Sequence, residues 1–258
     1  MTYADVNEIL TRLPGMQRGC VVERLANGPT NSTYRVAADG AQFVLRLDKP
    51  EALPLGLDRA NERIVSAAVA AAGLTPAYSH FDLGSGVCLR PFIAGRSLRR
   101  EDLMNAQTLE RLAGVLKQLH ALPPLGSPFD PAAAARRYAT GVASPEADRL
   151  ADRTAGLAAD IRRYPAPSSI CHNDLVAENV LQTERGILII DWEYAAVGDP
   201  FFDLAVVVRH HELGGSQAAL FLNAYLRRPP TEAESQRFAL QCRLYEALLA
   251  LWNLRVCT

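Results

Sequence analysis

Asp174, Asn179 and Asp191 are the residues whose types and spacing point most directly to chemistry. They lie in the stretch Ile170-Cys171-His172-Asn173-Asp174-Leu175, through Glu178-Asn179, to the apolar run Ile187-Leu188-Ile189-Ile190 that delivers Asp191. An Asp, an Asn and a second Asp so spaced meet the needs of phosphoryl transfer with Mg²⁺. One carboxylate aligns an attacking hydroxyl, while an amide oxygen and another carboxylate hold metal on the phosphates. The Asp174 carboxylate would accept the hydroxyl proton or simply orient the hydroxyl. His172 is expected to fix the loop by hydrogen bonding rather than act as a base.

Such residues need a rigid frame. Asp174 belongs in a loop after Ile170-Cys171, and Asp191 at the end of a short buried strand. Asp199-Pro200 has the form of a helix start, Asp as N-cap and Pro at the first helical position. Asp203 then falls in the first turn, where negative charge suits the helix dipole. Upstream, Leu109, Leu112, Ala113, Leu116 and Leu119 recur at helical spacing and stop before Leu122-Pro123-Pro124, giving a core helix over 107–121 with His120 as a structural hydrogen-bonder. Residues 125–145 read as a variable connection with short helices, and 146–163 as a helix ended by Pro165 and Pro167.

The first third of the chain reads differently. A short amphipathic helix over 5–13 is broken by Pro14-Gly15, and Val21–Leu25 and Thr33–Val36 flank a polar turn over 26–32, a hairpin pattern. Its Gly, Asn, Ser and Thr can offer N–H groups and hydroxyls to phosphate oxygens. In the strand Phe43–Leu47, Phe43, Leu45 and Leu47 share one face and Val44 and Arg46 the other. The helix from Asn61 to Ala72 carries Val65, Val69 and Ala72 on its apolar stripe, and Glu62 falls on that stripe too. A carboxylate there needs a partner, and Arg46 is the natural one. Gly73-Leu74-Thr75-Pro76 stops the helix, and Tyr78–Asp82 and Val87–Pro91 are strands about a Gly84-Ser85-Gly86 turn.

His172-Asn173-Asp174-Leu175 through Asn179, followed by Ile190-Asp191-Trp192-Glu193-Tyr194, resembles the catalytic and metal motifs of choline/ethanolamine kinases and the wider aminoglycoside-phosphotransferase-like family. The resemblance implies an α+β, bilobal protein-kinase-like fold: a small N-terminal lobe of antiparallel sheet plus helix, residues 1–93, and a larger, mainly helical lobe, residues 94–258. It implies ATP and Mg²⁺, with Asp174 catalytic and Asn179 and Asp191 as metal ligands. Gly28–Val36 is similar to the family's G-x-T-N-x-x-Y-x-V segment, so Asn31, Ser32 and Thr33 are expected to cover ATP. Arg46 braced by Glu62 is expected to touch the α- and β-phosphates, and Phe92 and Ile93, in the inter-lobe hinge, to read the adenine edge. Asp203 matches the D-P-x-x-D-L-A pattern and is expected to brace the catalytic loop.

On the substrate side the family holds a quaternary ammonium among aromatic rings near an acidic group. Glu193, Tyr194, His210 and Trp252 are the expected contacts, from an aromatic field that also includes Trp192, Tyr225 and Tyr245. The chain departs from the pattern at Leu249, where a tryptophan partner to Trp252 is usual, and at His210, where a glutamate is usual and Glu212 is the available replacement. The chain ends at Thr258, where relatives often add a helix, so the pocket is expected to be more open or closed by a second subunit in a homodimer. The leading acceptor is choline or ethanolamine. Thiamine, an aminoglycoside or a sugar are the alternatives within the family, and a non-catalytic nucleotide-binding regulatory module is the alternative outside it.

Composition bounds these readings. A chain of 258 residues can bury a sizeable core, and 49% apolar with 21% charged residues is ordinary for a globular protein. The net charge of −1 supplies no global field for nucleic acid or an anionic membrane. Five cysteines without C-x-x-C spacing argue against a disulfide framework. With neither a signal-peptide layout nor an apolar run near the ~18 residues of a span, a cytoplasmic protein with a small-molecule hydroxyl acceptor, and no nucleic-acid or membrane partner, is expected.

Overall fold

Asp39-Gly40 turns β2 (Asn31–Ala38) back into β3 (Ala41–Asp48). Both turn residues have positive φ, 49° and 80°, the backbone that lets a two-residue hairpin match the twist of its strands. With β1 (Cys20–Asn27), β4 (His80–Asp82) and β5 (Val87–Pro91) they form a five-stranded sheet in the order β1-β2-β3-β5-β4, antiparallel throughout. The computed structural model describes residues 2–142, 144–164 and 166–256. The chain divides into two compact units, Met1–Ala94, which holds this sheet, and Gly95–Thr258.

Helix α1 (Tyr3–Thr11) starts at a reciprocal cap between Thr2 and Asp5 and buries Val6 and Leu10. These side chains, with Leu13 and Met16, pack on Tyr34, Val36, Leu45, Leu47, Val87 and Leu89 to form the core of the first unit. On β3 the alternation is as expected, Leu45 and Leu47 joining this core while Arg46 turns to the other face and is also buried. There it meets α2 (Arg59–Ala71), which is N-capped by Asp58, carries Glu62 fully buried in its first turn, and ends before Gly73 at φ 76°. The hairpin tip is shorter than the sequence implied. Asn31 and Ser32 are already in β2 with Thr33, the three opposite Asp48, Leu47 and Arg46, because β3 runs on to Asp48 and supplies ladder partners.

The second unit is mainly helical: α3 (Ala106–His120), α4 (Pro131–Ala139), α5 (Pro145–Ile161), α6 (Pro200–His210), α7 (Gly215–Leu226) and α8 (Glu232–Val256). Two small antiparallel sheets hold the site. β6 (Arg96–Ser97), β8 (Val180–Thr183) and β9 (Gly186–Ile189) form one, and β7 (Ser169–Cys171) pairs with β10 (Ala196–Gly198) in the other. Helix α5 stops at Ile161; Pro165, the expected stop, lies outside the described residues, as does Cys257. Cys20, Cys88, Cys171 and Cys242 are free thiols. Among the described residues, no helix is long and apolar enough to cross a membrane.

Every residue of α6 from Pro200 to Val208 is buried, so this helix has no solvent face and is the axis of the unit. Asp199 caps it, accepting from the Phe201 N–H at 2.8 Å. The same carboxylate binds both the Nε and NH2 ends of buried Arg237 and the Gln241 amide, locking α6 to α8. Replacing Asp199 by Ala removes the cap and strands the Arg237 charge, and should cost ~3–5 kcal/mol in urea unfolding. Asp199→Asn, which keeps the cap, should cost distinctly less.

Candidate active site

The loop that carries Asp174 leaves β7 at Cys171 and turns through His172 and Asn173. His172 is fully buried, with its ring edge against Trp192 at 4.6 Å between centroids. Its Nε2 lies 3.0 Å from the Ile190 carbonyl and its Nδ1 faces the Asp174 N–H at 3.3 Å. That network assigns the proton to Nε2, and burial lowers the imidazole below its ordinary range, so the ring is neutral. His172 thereby ties the loop to the end of β9 and performs the bracing role its position implied.

Asp203 does more. Its fully buried carboxylate accepts from two consecutive backbone N–H groups, His172 at 2.8 Å and Asn173 at 2.7 Å. It also meets His120 Nε2 at 3.0 Å, and His120 Nδ1 faces the Tyr225 hydroxyl at 2.9 Å. Asn173, left-handed at φ 65°, donates its amide to the Tyr194 carbonyl at 2.9 Å. In the close group His120, Cys171 and Asp203, the imidazole and the carboxylate therefore form a hydrogen-bonded brace on the loop, while the Cys171 thiol donates to the Ser169 carbonyl. His210, His211 and Glu212 form no comparable cluster among the described residues.

Asn179 closes the loop from below. Its Nδ2 donates to the Asp174 backbone carbonyl and to Asp174 Oδ2, both at 2.9 Å, and its own carbonyl accepts from the Ile190 N–H at 2.9 Å. Asp191 follows at φ 65°. Asp174, Asn179 and Asp191 are thus one assembly, as their order in the chain implied. Burial, and then the charge of Asp191, push the Asp174 carboxyl up to about 7 against the pull of its Asn179 hydrogen bond.

The donor set suits a small hard cation. With both Nδ2 hydrogens of Asn179 turned to Asp174, the amide presents its oxygen, and the Asp174 and Asp191 carboxylates repel one another in partly buried surroundings. A divalent cation relieves that repulsion.

Three rings form a group, two of which, Tyr138 and Tyr194, feel the charge of Asp174. Trp252 on α8 lies edge-on to Tyr194 at 5.8 Å and to Tyr138 on α4 at 5.4 Å. Tyr138 sits in the segment that sequence reading left as a variable connection, and nothing in its neighbours marks it. Burial pushes its hydroxyl up to about 12, with the charges of Asp174 and Glu193 adding to the rise. Glu193 is buried, and its charge likewise raises Tyr194. The other aromatic candidates are used elsewhere: Trp192 packs on His172 and Tyr225 on His120. His210, half-buried and with its imidazole lowered by burial, lies 3.5 Å from the Tyr245 hydroxyl, and Tyr245 is itself raised by burial and then by the charge of Asp174. Glu212 is exposed beyond the end of α6 and left-handed at φ 50°, and Leu249 is exposed.

In the first unit Arg46 gives Glu62 a two-pronged pair, at 2.5 and 2.9 Å, as the helix period predicted. The Ser32 hydroxyl donates to Asn27 Oδ1 at 2.8 Å and that of Thr33 to Asn31 Oδ1 at 3.1 Å. The Phe92 N–H donates to the Gln42 carbonyl at 3.0 Å, extending the β5–β3 ladder by one residue and leaving that donor unavailable to an adenine. Ile93 follows, half-buried.

A two-unit α+β chain with this loop belongs to the phosphotransferase enzyme family, whose model matches residues 21–252. Protein LicA of Haemophilus influenzae is 30% identical over 210 residues, 77% of this chain and 60% of that protein. The chain thus spans less than two thirds of that relative. The structure of a choline/ethanolamine kinase family protein from Mesorhizobium loti matches with a TM-score of 0.81 at 24% identity, over 98% of this chain and 86% of that one. Choline kinase LicA from Streptococcus pneumoniae, and LicA in complex with AMP, match with TM-scores of 0.81 and 0.82 at 20% identity, over 98% of this chain and 90% and 89% of theirs. These likenesses establish the fold, which is the protein-kinase-like one expected.

Asp203→Asn tests the brace. An amide cannot accept from both backbone donors and His120 as the carboxylate does, so at least one buried N–H loses its partner, at about 1–3 kcal/mol. Thermal unfolding should show the loss, together with reduced protection of the His172 and Asn173 amides in hydrogen exchange.

Proposed function

We propose that this protein transfers the γ-phosphoryl group of ATP to the hydroxyl of a small cationic amino alcohol, choline or ethanolamine. The observation that carries this reading is the group of Tyr138, Tyr194 and Trp252 beside Glu193 and Asp174. Aromatic faces with carboxylates at hand attract an alkylammonium by cation–π contact reinforced by charge. An acceptor held there by its ammonium end has its hydroxyl close to Asp174.

Asp174, fixed by Asn179 and by the His172 contact of its own N–H, orients that hydroxyl and takes up its proton as the O–P bond forms. Asn179 and Asp191 are the residues that would hold Mg²⁺, which when bound neutralises charge on the β- and γ-phosphates. In the first unit, Arg46 braced by Glu62 is the phosphate contact, and the Phe92 carbonyl and Ile93 N–H are the hinge groups left for adenine. Neutral His210 is replaced as the source of negative charge by Glu193. A cytoplasmic location and a small-molecule partner alone accord with this reading.

Acceptor-dependent ADP release with Mg·ATP, measured across choline, ethanolamine, thiamine, sugars and aminoglycosides, tests the proposal. One amino alcohol should stand out, and turnover should fall about 10²–10⁴-fold in Asp174→Asn. Turnover with a sugar or aminoglycoside alone would overturn the acceptor. Chelation by EDTA should abolish turnover and Mg²⁺ should restore it. Trp252→Ala should raise the KM for the acceptor about tenfold, a loss near 1–2 kcal/mol, and leave the KM for ATP unchanged.

A further inference from the structure

Arg46 and Glu62 do not form an isolated pair. Arg59, one turn before Glu62 on α2, donates to Glu62 Oε2 at 2.8 Å and lies 2.9 Å from Asp48 Oδ2 through its Nε. Asp48, at the end of β3, also lies 3.2 Å from Arg46 Nε through Oδ1. Two guanidinium groups and two carboxylates thus close a ring of formal charge zero, each Arg shared by both acids.

The two acids are not equivalent. Glu62 has no exposed side-chain surface and accepts from both arms of Arg46, from Arg59 and from the Tyr78 hydroxyl at 3.4 Å, so releasing it would strand a fully buried charge. Asp48 retains 17% of its side-chain exposure and has a single contact with each Arg. Its backbone is pinned: its N–H donates to the Gly86 carbonyl at 2.9 Å, and a Cβ on Gly86 would come within 2.9 Å of the Asp48 Cβ. Only the side chain of Asp48 can give way.

We propose that Asp48 is a built-in counter-ion that competes with nucleotide phosphate for Arg46, and that Arg59 limits this competition by holding Asp48 to itself. The inference rests on the reading of Arg46 as a phosphate contact. An incoming phosphate oxygen takes the place of Asp48 beside Arg46 Nε while the Glu62 brace is retained. Asp48 and Arg59 are positioning residues that set how tightly a nucleoside phosphate binds, and they touch neither acceptor nor reacting atoms.

Calorimetric titration of the whole chain with Mg·ATP and, separately, with adenosine decides the matter, using wild type, Asp48→Asn, Arg59→Gln and the double variant. Asp48→Asn should bind Mg·ATP about threefold tighter and Arg59→Gln about threefold weaker, while the Asp48→Asn gain should grow to about tenfold in the Arg59→Gln background. Adenosine, which has no phosphate, should bind all four alike. Additive effects, weaker binding by Asp48→Asn, or adenosine affinities that move in step overturn the inference while wild-type binding of Mg·ATP leaves the kinase reading standing. A wild type that binds no nucleotide overturns both. Asp48→Ser carries the same expected sign should Asp48→Asn fail to fold.

Discussion

The two N–H groups that converge on the Asp203 carboxylate set the terms for the second unit. A loop that turns through a left-handed asparagine cannot satisfy consecutive backbone donors by a ladder, and leaving them buried and unpaired is expensive. A charged acceptor on the first turn of a helix with no solvent face solves the problem, since neither the helix nor the carboxylate can move. His120 and Tyr225 hold that carboxylate from α3 and α7, so the geometry of Asp174 depends on parts of the chain far from it in sequence. The left-handed backbone at Asn173 and Asp191 is strain that this network makes tolerable.

Charge is treated in opposite ways in the two units. The first buries two arginines and two acids in a closed ring, where each charge is compensated and the ensemble stays neutral. The second gathers Asp174, Asp191 and Glu193 near aromatic rings, and burial first and the Asp191 charge second push the Asp174 carboxyl up to about 7. The net charge of −1 reveals neither arrangement, because each is local.

Where sequence reading and structure differ, the cause is packing across elements. Asn31 and Ser32 read as loop by composition, yet they are strand because β3 is long enough to pair with them. Leu249 falls at a position where a relative's pocket residue is expected, but it is exposed. Tyr138 enters the ring group from a helix that carries no signal beyond Asp130-Pro131 at its start, and Asp48 and Arg59 join a pair that helix periodicity had placed as Arg46 and Glu62 alone.

Much was settled by local rules. The 3.6-residue period placed Glu62 on a buried stripe, the alternation in β3 separated Arg46 from the core face, and Asp199-Pro200 announced the start of α6. The order Asp174, Asn179, Asp191 identified the assembly, because a loop and a short strand leave few ways to arrange three residues so near in sequence. Tertiary structure alone decided what depends on distance through space: how the Asp203 carboxylate divides its bonds between the loop and His120, which rings group with Tyr138, and how four charges share one ring. Those contacts join residues separated by tens of positions, as Arg46 and Glu62, His172 and Asp203, or Tyr138 and Trp252 are. Helix period and strand alternation say which side a residue faces within its own element, and only the packing of elements says what it meets there.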